Sequence, residues 1–223
     1  MDTVIFDVDG TLVDSNYQHA LAWYRAFRRF DVTPAVWRIH RALGMGGDNL
    51  VPAVAGDAFE AEHGEDVRAA WKEEFDPLLA EICPLDGAQA LLHDLRAAGF
   101  TVVLASSGAA EHVDHFLDQL DGRSLAHAWT TAEDAEETKP APDLFQVALK
   151  KVGATSAVVV GDSTWDVIAA SKLGLETIAL RTGGFSGEEL LEAGASAVFE
   201  SLVHLHQDIE STSLAVPRPG IRE

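Results

Sequence analysis

The sequence predicts an α/β fold in which a parallel sheet is covered by helices on both faces and an all-helical segment is inserted after the first strand. Three observations carry this. Short apolar runs of strand length recur along the chain, helical patterns fill the intervals between them, and residues 15–83 hold helical patterns with no strand-like run. Strand and helix in alternation make neighbouring strands parallel. A parallel sheet buries both faces, so its strands read as continuous apolar runs.

The first run, Thr3-Val4-Ile5-Phe6, ends at Asp7. The segment after it predicts at least three helices. Leu21, Trp23 and Phe27 mark the first, and Thr33-Pro34 offers a cap and first turn for a second, which Gly44 closes. Val67, Trp71, Phe75, Leu78, Leu79 and Ile82 recur at helical spacing in the last, with Pro77 placed to kink it. Asp86 is positioned to cap a helix with Leu91, Leu92 and Leu95 on one face and Gly99 as a left-handed stop. Residues 101–105 form the second strand run, with a β-like stretch around Ala128-Trp129-Thr130. Pro142 suits the first turn of a helix carrying Leu144, Phe145, Ala148, Leu149 and Val152, ended by Gly153. Residues 157–160 and 177–180 are further strands, Ser186 and Glu189 have capping-box spacing, and Ala197-Val198-Phe199 is a weaker last strand. From about residue 210, Ser, Pro and charge predict a mobile tail. The expected division is a Rossmann-like core, residues 1–14 and 84–223, and a helical lid, residues 15–83.

Bulk composition narrows the function. The 223 residues are 47% hydrophobic, enough for a real core, and carry a formal net charge of −20. Such a charge repels phosphates, which excludes broad binding to nucleic acid or anionic membranes. The single cysteine, Cys83, permits no internal disulfide and fits a reducing compartment. Asp2 follows Met1 without the basic and long apolar regions of a signal peptide, and no apolar stretch has membrane-spanning length, so a cytoplasmic protein is expected. Nothing in the sequence specifies an oligomeric state. An anionic substrate needs a local positive site. Five arginines between Ser15 and Leu50 (Arg25, Arg28, Arg29, Arg38 and Arg41) face two acids there, Asp31 and Asp48. Arg38 and Arg41 share a helix face beside the glycine loop, either as a grip for an anionic substrate or as a solvated face.

In an open parallel sheet, ligands bind at the carboxyl ends of the strands. Those ends carry Asp7-Val8-Asp9-Gly10-Thr11, then Ser106-Ser107-Gly108, then Lys139-Pro140, then Gly161-Asp162 with Asp166 four residues on. Four carboxylates, a serine and a lysine are thereby sent to one edge. Like charges so crowded are unfavourable unless a cation binds among them, and carboxylate oxygens are ligands that Mg²⁺ prefers. His112 with His115, and His204 with His206 beside Asp208, lack a full ligand set and read as solvated faces.

Taken in order, these four motifs resemble those of the haloacid dehalogenase superfamily, and the helical insert stands where that superfamily places a helical cap. The resemblance spans most of the chain. It implies a HAD-like phosphatase acting on a small phosphorylated metabolite, with Asp7 as nucleophile and Asp9 as acid and base. Ser106, with Ser107 and Gly108, holds the phosphoryl oxygens beside Gly10 and Thr11, and Lys139 neutralises charge. Mg²⁺ is bound by Asp7, the backbone carbonyl of Asp9 and Asp162, with Asp166 as a further ligand or a residue supporting one. His19 is a substrate contact or a packing residue, and Gly46 and Gly47 in the cap loop help set specificity. Asp9 argues against a dehalogenase, and the first lid helix lacks the lysine of a phosphonatase. Asp14, His19, Trp23 and Lys139-Pro140-Ala141-Pro142-Asp143 are similar to a sugar phosphomutase of the β-phosphoglucomutase type. That enzyme carries an arginine in the cap loop, which here reads Gly44-Met45-Gly46-Gly47-Asp48. A phosphoglycolate phosphatase-like hydrolase is therefore expected over a mutase. A phosphate- or partner-binding module on the same fold has no need of both Asp7 and Asp9.

Overall fold

A computed structural model describes residues 2–215. Its single sheet has six parallel strands in the order β3-β2-β1-β4-β5-β6. These are β1 (Thr3–Asp7), β2 (Thr101–Ala105), β3 (Ala128–Thr130), β4 (Val158–Gly161), β5 (Glu176–Leu180) and β6 (Ala197–Phe199). The helices are α1 (Asn16–Arg28), α2 (Val36–Ala42), α3 (Gly47–Ala55), α4 (Asp57–Phe75), α5 (Ala88–Ala97), α6 (Ala110–Leu120), α7 (Gly122–Leu125), α8 (Asp143–Val152), α9 (Thr164–Ser171), α10 (Gly187–Ala193) and α11 (Leu202–Gln207). The sheet runs outward in both directions from β1 and β4. Its topological switch point therefore lies between the strands that end in Asp7 and Gly161.

Both faces of the sheet are covered, as continuous apolar strands require. Val4 and Phe6 of β1 join Val102, Leu104, Val158 and Val160 under α5, α6 and α11. Ile5, one residue out of phase, joins Val103 and Val159 under Phe145, Leu149 and Ala169 of α8 and α9. Side chains alternate along a strand, so one short run supplies both layers.

Residues of the strand-free segment pack largely on one another. Trp23, Phe27, Ile39, Leu50, Val51 and Val67 form a cluster distinct from the two sheet layers. The segment leaves and rejoins the sheet side by side: Val13 bridges Pro84, and the Asp14 N–H donates to the Cys83 carbonyl at 2.9 Å. Cys83 is exposed at that crossing.

Several expected boundaries move. The second helix begins at Val36, capped by Ala35 and not Thr33. An unexpected helix, α3, was masked in the sequence by the glycines that open it and by Pro52 inside it. Pro77 does not kink α4; the helix ends at Phe75 and the chain continues as the 3-10 turn Asp76–Glu81, because proline has no N–H for the α ladder. Gly87, at φ +86°, takes the cap position expected for Asp86, and Pro142 caps α8 one residue before its first turn. The mobile tail expected from about residue 210 does not begin there: Ile209–Ser211 form a 3-10 turn and Leu214 is buried in the core. The remainder of the expected tail, residues 216–223, lies outside the described residues.

Candidate active site

Asp7 is the last residue of β1, and the turn after it is tight. The Gly10 N–H donates to the Val13 carbonyl at 2.9 Å and the Leu12 N–H to the Val8 carbonyl at 2.8 Å. Gly10 has φ +76°, and a side chain there would strike Asp162 and Asn16. Glycine is required on both counts. The turn brings Asp9 back over the sheet edge, where its carboxylate accepts from Ser15 Oγ at 2.8 Å and Ser106 Oγ at 3.1 Å, with His19 Nε2 at 3.0 Å. Burial works to raise the Asp9 pKa; the hydrogen bonds from His19, Ser15 and Ser106 outweigh it and hold the carboxyl below its ordinary range. Without substrate Asp9 thus rests as a carboxylate; the negative charge of a phosphate group brought beside it favours the protonated form. His19 is itself fixed, stacked on Phe75 with ring centroids 4.0 Å apart.

Lys139 is buried between two acids. Its ammonium contacts Asp7 Oδ1 directly and lies 2.7 Å from Asp166 Oδ1. Burial disfavours the charged lysine, but Asp166 and Asp7 overcome this and hold its pKa above the ordinary value. The other Asp166 oxygen accepts from Ser163 N at 3.1 Å and Ser163 Oγ at 2.6 Å. Ser163 and Asp166 form a capping box at the start of α9. Asp162 takes no part in the cap and points to the sheet edge. It accepts from Asn16 Nδ2 at 2.9 Å and Thr11 Oγ1 at 3.4 Å.

Ligand oxygens of Asp7, Asp162 and Asp166, all buried, lie within 4.8 Å of one another. Three carboxylates against one ammonium leave an excess of two negative charges if all are ionised. Burial accordingly pushes Asp7 well above the carboxylate range, with Lys139 opposing and Asp166, Asp162 and Asp9 adding to the rise. Burial and then Asp166 raise Asp162 to about 7. An oxygen-only, doubly negative cluster matches the charge and ligand preference of a hard divalent cation. A cation there would also return Asp7 to the ionised form that a nucleophile needs.

A cavity of about 400 Å³ opens above Asp7 and Asp9. Ser107, Gly108, Ala132 and Glu133 line it from the sheet side; His19, Trp23, Gly46, Gly47, Arg68 and Trp71 line it from the helical side. Ser106 is fully buried just behind, its hydroxyl accepting from the Gly108 N–H at 2.9 Å while donating to Asp9. The structure therefore brings Asp7, Asp9, Ser106, Ser107, Gly108, Lys139, Asp162 and Asp166 to one place. Thr11, expected on the phosphate, is fully buried and spends its hydroxyl on Asp162. Gly10 shapes the turn and does not line the cavity. Gly46 and Gly47 do line it.

Arg38 and Arg41 do not line the cavity. Arg41 pairs with Glu189 Oε1 at 2.5 Å and lies 4.0 Å over the Phe185 ring, clasping α2 to the sheet domain. Arg25 and Arg29 pair with Glu74. His112 bonds Asp76 at 2.8 Å, so its reading as a solvated face is corrected: it is buried, and it joins α6 to the end of α4. Sequence reasoning missed Asn16, Arg68, Lys72 and Glu133 at the site. Only the amphipathic run containing Val67 and Trp71 hinted that α4 has a face on the cavity.

A parallel sheet with a buried carboxylate cluster at its switch point defines a class, the doubly wound α/β proteins that bind ligands at the carboxyl edge. The particular family is shown by its sequence profile, haloacid dehalogenase-like hydrolase, which matches residues 1–174. The chain belongs to that family. It is 30% identical over 209 residues to a phosphoglycolate phosphatase of Pseudomonas fluorescens, covering 89% of this chain and 76% of that one. A hydrolase from Pseudomonas syringae superposes with a TM-score of 0.89 at 32% identity, over 95% of this chain and 99% of that chain. A candidate β-phosphoglucomutase from Bacteroides vulgatus gives 0.85 at 26% identity, over 98% and 91%.

Proposed function

We propose that the chain is a Mg²⁺-dependent phosphatase that hydrolyses a small phosphorylated metabolite through an aspartyl phosphate on Asp7, in a cytoplasmic setting. The observation that carries this reading is the pairing of Asp7 with Lys139 beneath the cavity, with Asp9 beside them on a separate hydrogen-bond system. Asp7 Oδ forms a bond to phosphorus as the ester P–O bond breaks, and the leaving oxygen takes a proton from Asp9. Asp9 then removes a proton from the water that attacks the same phosphorus, Asp7 is released, and Asp9 is again protonated. Lys139 lets the phosphoryl group approach an anionic nucleophile. Ser107 lines the cavity as a donor for the phosphoryl oxygens; the Ser106 hydroxyl and the Gly108 N–H, which serve Asp9 and Ser106 in the free site, would join it by turning to the bound phosphate. Asp7, Asp162 and the Asp9 carbonyl would hold the Mg²⁺, which supplies charge neutralisation of the transferring group. We assign Asp166 to holding Lys139, since its two oxygens are engaged by Lys139 and Ser163. Residues 15–83 act as a cap over the site.

The likeness to a candidate β-phosphoglucomutase favours a second reading, phosphomutase chemistry. Against it, the cap loop carries no cation, and a side chain at Gly47 would lie 3.1 Å from Arg68 and 3.2 Å from Trp23. Formation of a phosphoenzyme that water cannot discharge, but a sugar phosphate can, would favour the mutase.

Metal removal tests the reading. Chelation is expected to abolish hydrolysis of p-nitrophenyl phosphate, and added Mg²⁺ to restore it. Stability supplies an independent readout with a definite sign. Asp162 titrates near 7 in the folded chain, above its unfolded value, so between about pH 4 and 7 the folded state binds the extra proton and stability falls as pH rises. Metal-free protein should therefore lose melting temperature across this window, and Mg²⁺ should raise it more at pH 8 than at pH 5. Full activity in excess chelator, or an equal Mg²⁺ effect at both pH values, contradicts the assignment.

His19→Leu removes the hydrogen bond and charge that most oppose burial at Asp9. The Asp9 pKa should rise, so less of the base form survives at low pH. The acidic limb of phosphoenzyme hydrolysis should move to higher pH in single-turnover measurements. An unmoved limb with a general fall in rate would mean that His19 only packs.

A further inference from the structure

We propose that the leaving group of the natural substrate is an uncharged ring of sugar or cyclic-polyol size, bound with its C–H surface against the aromatic wall of the cavity. It is not a short carboxylated chain, and it carries no second phosphate. This rests on the reading of the cavity as a phosphatase site and deepens it.

Size is the first argument. The cavity of about 400 Å³ falls within the ~300–1,000 Å³ typical of clefts that enclose whole small molecules. A two-carbon acid attached to the phosphoryl group would leave most of it to water.

The walls supply the second. Trp23 and Trp71 both line the cavity and stack on each other at 5.3 Å, tilted by 19°. Trp71 continues the stack onto Phe75 at 5.2 Å, and Phe75 onto His19. Leu43, Met45 and Leu50 complete this side. A rigid aromatic wall rewards a flat apolar face and gives nothing to a carboxylate.

Charge decides between neutral and anionic. The helical side of the cavity carries two cations, Arg68 and Lys72, and both are already answered. Arg68 Nη1 lies 2.9 Å from each oxygen of Glu60, and Lys72 Nζ lies 2.7 Å from Asp76 and 2.8 Å from Glu111. Glu133 adds a carboxylate on the opposite wall. Held against Glu60, Arg68 brings no net positive charge to an anion. To receive a neutral hydroxyl it need not move. A guanidinium has five N–H donors and an ammonium three, so each keeps spare donors for uncharged oxygens while holding its acid.

The test is a kcat/KM comparison on the full chain with Mg²⁺. Neutral ring esters (glucose 6-phosphate and myo-inositol 1-phosphate) are set against glycerol 1-phosphate, phosphoglycolate and fructose 1,6-bisphosphate. Acetyl phosphate reports the phosphoryl site alone. At least one neutral ring ester should exceed glycerol 1-phosphate and phosphoglycolate by roughly 10–200-fold, the range for a hydrophobic-pocket contact. Trp71→Leu should bring that ratio close to one, and Trp23→Leu is the second variant should the first fail to fold. Phosphoglycolate or the bisphosphate in first place overturns the proposal, as do ring esters no better than glycerol 1-phosphate. If acetyl phosphate is not hydrolysed in an Asp7-dependent way, the phosphatase reading itself has failed.

Discussion

Asp7→Asn is expected to lower kcat by roughly 10⁴- to 10⁶-fold, the scale of losing a nucleophile, with no phosphoenzyme formed. The change is isosteric and removes one of the crowded buried carboxylates, so the metal-free protein should be no less stable than the wild type. Asp9→Asn behaves differently. Its loss is about 10²–10⁴ on an ester with a poor leaving group, the scale of positioned acid–base help. With p-nitrophenyl phosphate, whose leaving group needs no proton, Asp9→Asn should still become phosphorylated and then stall. Mass spectrometry of acid-quenched protein should find the adduct on Asp7. An adduct on another residue, or equal behaviour of the two variants on both esters, rules out this division of labour. The geometry behind the contrast is that Asp7 is tied to Lys139, whereas Asp9 is tied to Ser15, His19 and Ser106.

Lys139→Met should damage both fold and activity. The residue is 1% exposed and answers two buried carboxylates. Removing one member of a buried ion cluster leaves uncompensated charge, typically destabilising by about 3–5 kcal/mol. The urea midpoint of metal-free protein should fall accordingly, and Mg²⁺ should recover part of the loss by supplying positive charge nearby. Activity should drop by at least the ~10²–10³ seen when one preorganised charge-stabilising donor is lost. Wild-type stability with lost activity would mean that the carboxylates simply take up protons. Wild-type activity would mean that Lys139 is no part of the chemistry.

The sheet and the acids at its edge were legible because each rests on local sequence. Continuous apolar runs mark strands buried on both faces, and the residue after such a run must emerge at the carboxyl edge. Asp7, Ser106 and Asp162 are therefore placed by chain order alone once the sheet is parallel. Gly10, expected beside the phosphate, serves the turn after β1 instead, at a positive φ that favours glycine. The Ser163–Asp166 box is also local, a serine followed three residues later by an acid.

What the sequence could not supply is which distant groups meet. Asn16 lies 146 residues from the Asp162 it holds, and Lys139 lies 132 from Asp7. Arg41 read as either a substrate grip or a solvated face, but α2 packs so that it reaches Glu189 beside the sheet. Arg68, Lys72 and Trp71 looked like an ordinary helix, and only the docking of α4 across the site turns that face to the cavity. The sequence by itself determined the order of the elements, the strand ends and the kinds of side chain sent to them, because backbone propensity and burial act over short windows. Tertiary structure alone decided which charges are paired, which carboxyls are pushed up and what the cavity can hold, because those depend on contacts and desolvation between elements far apart in the chain.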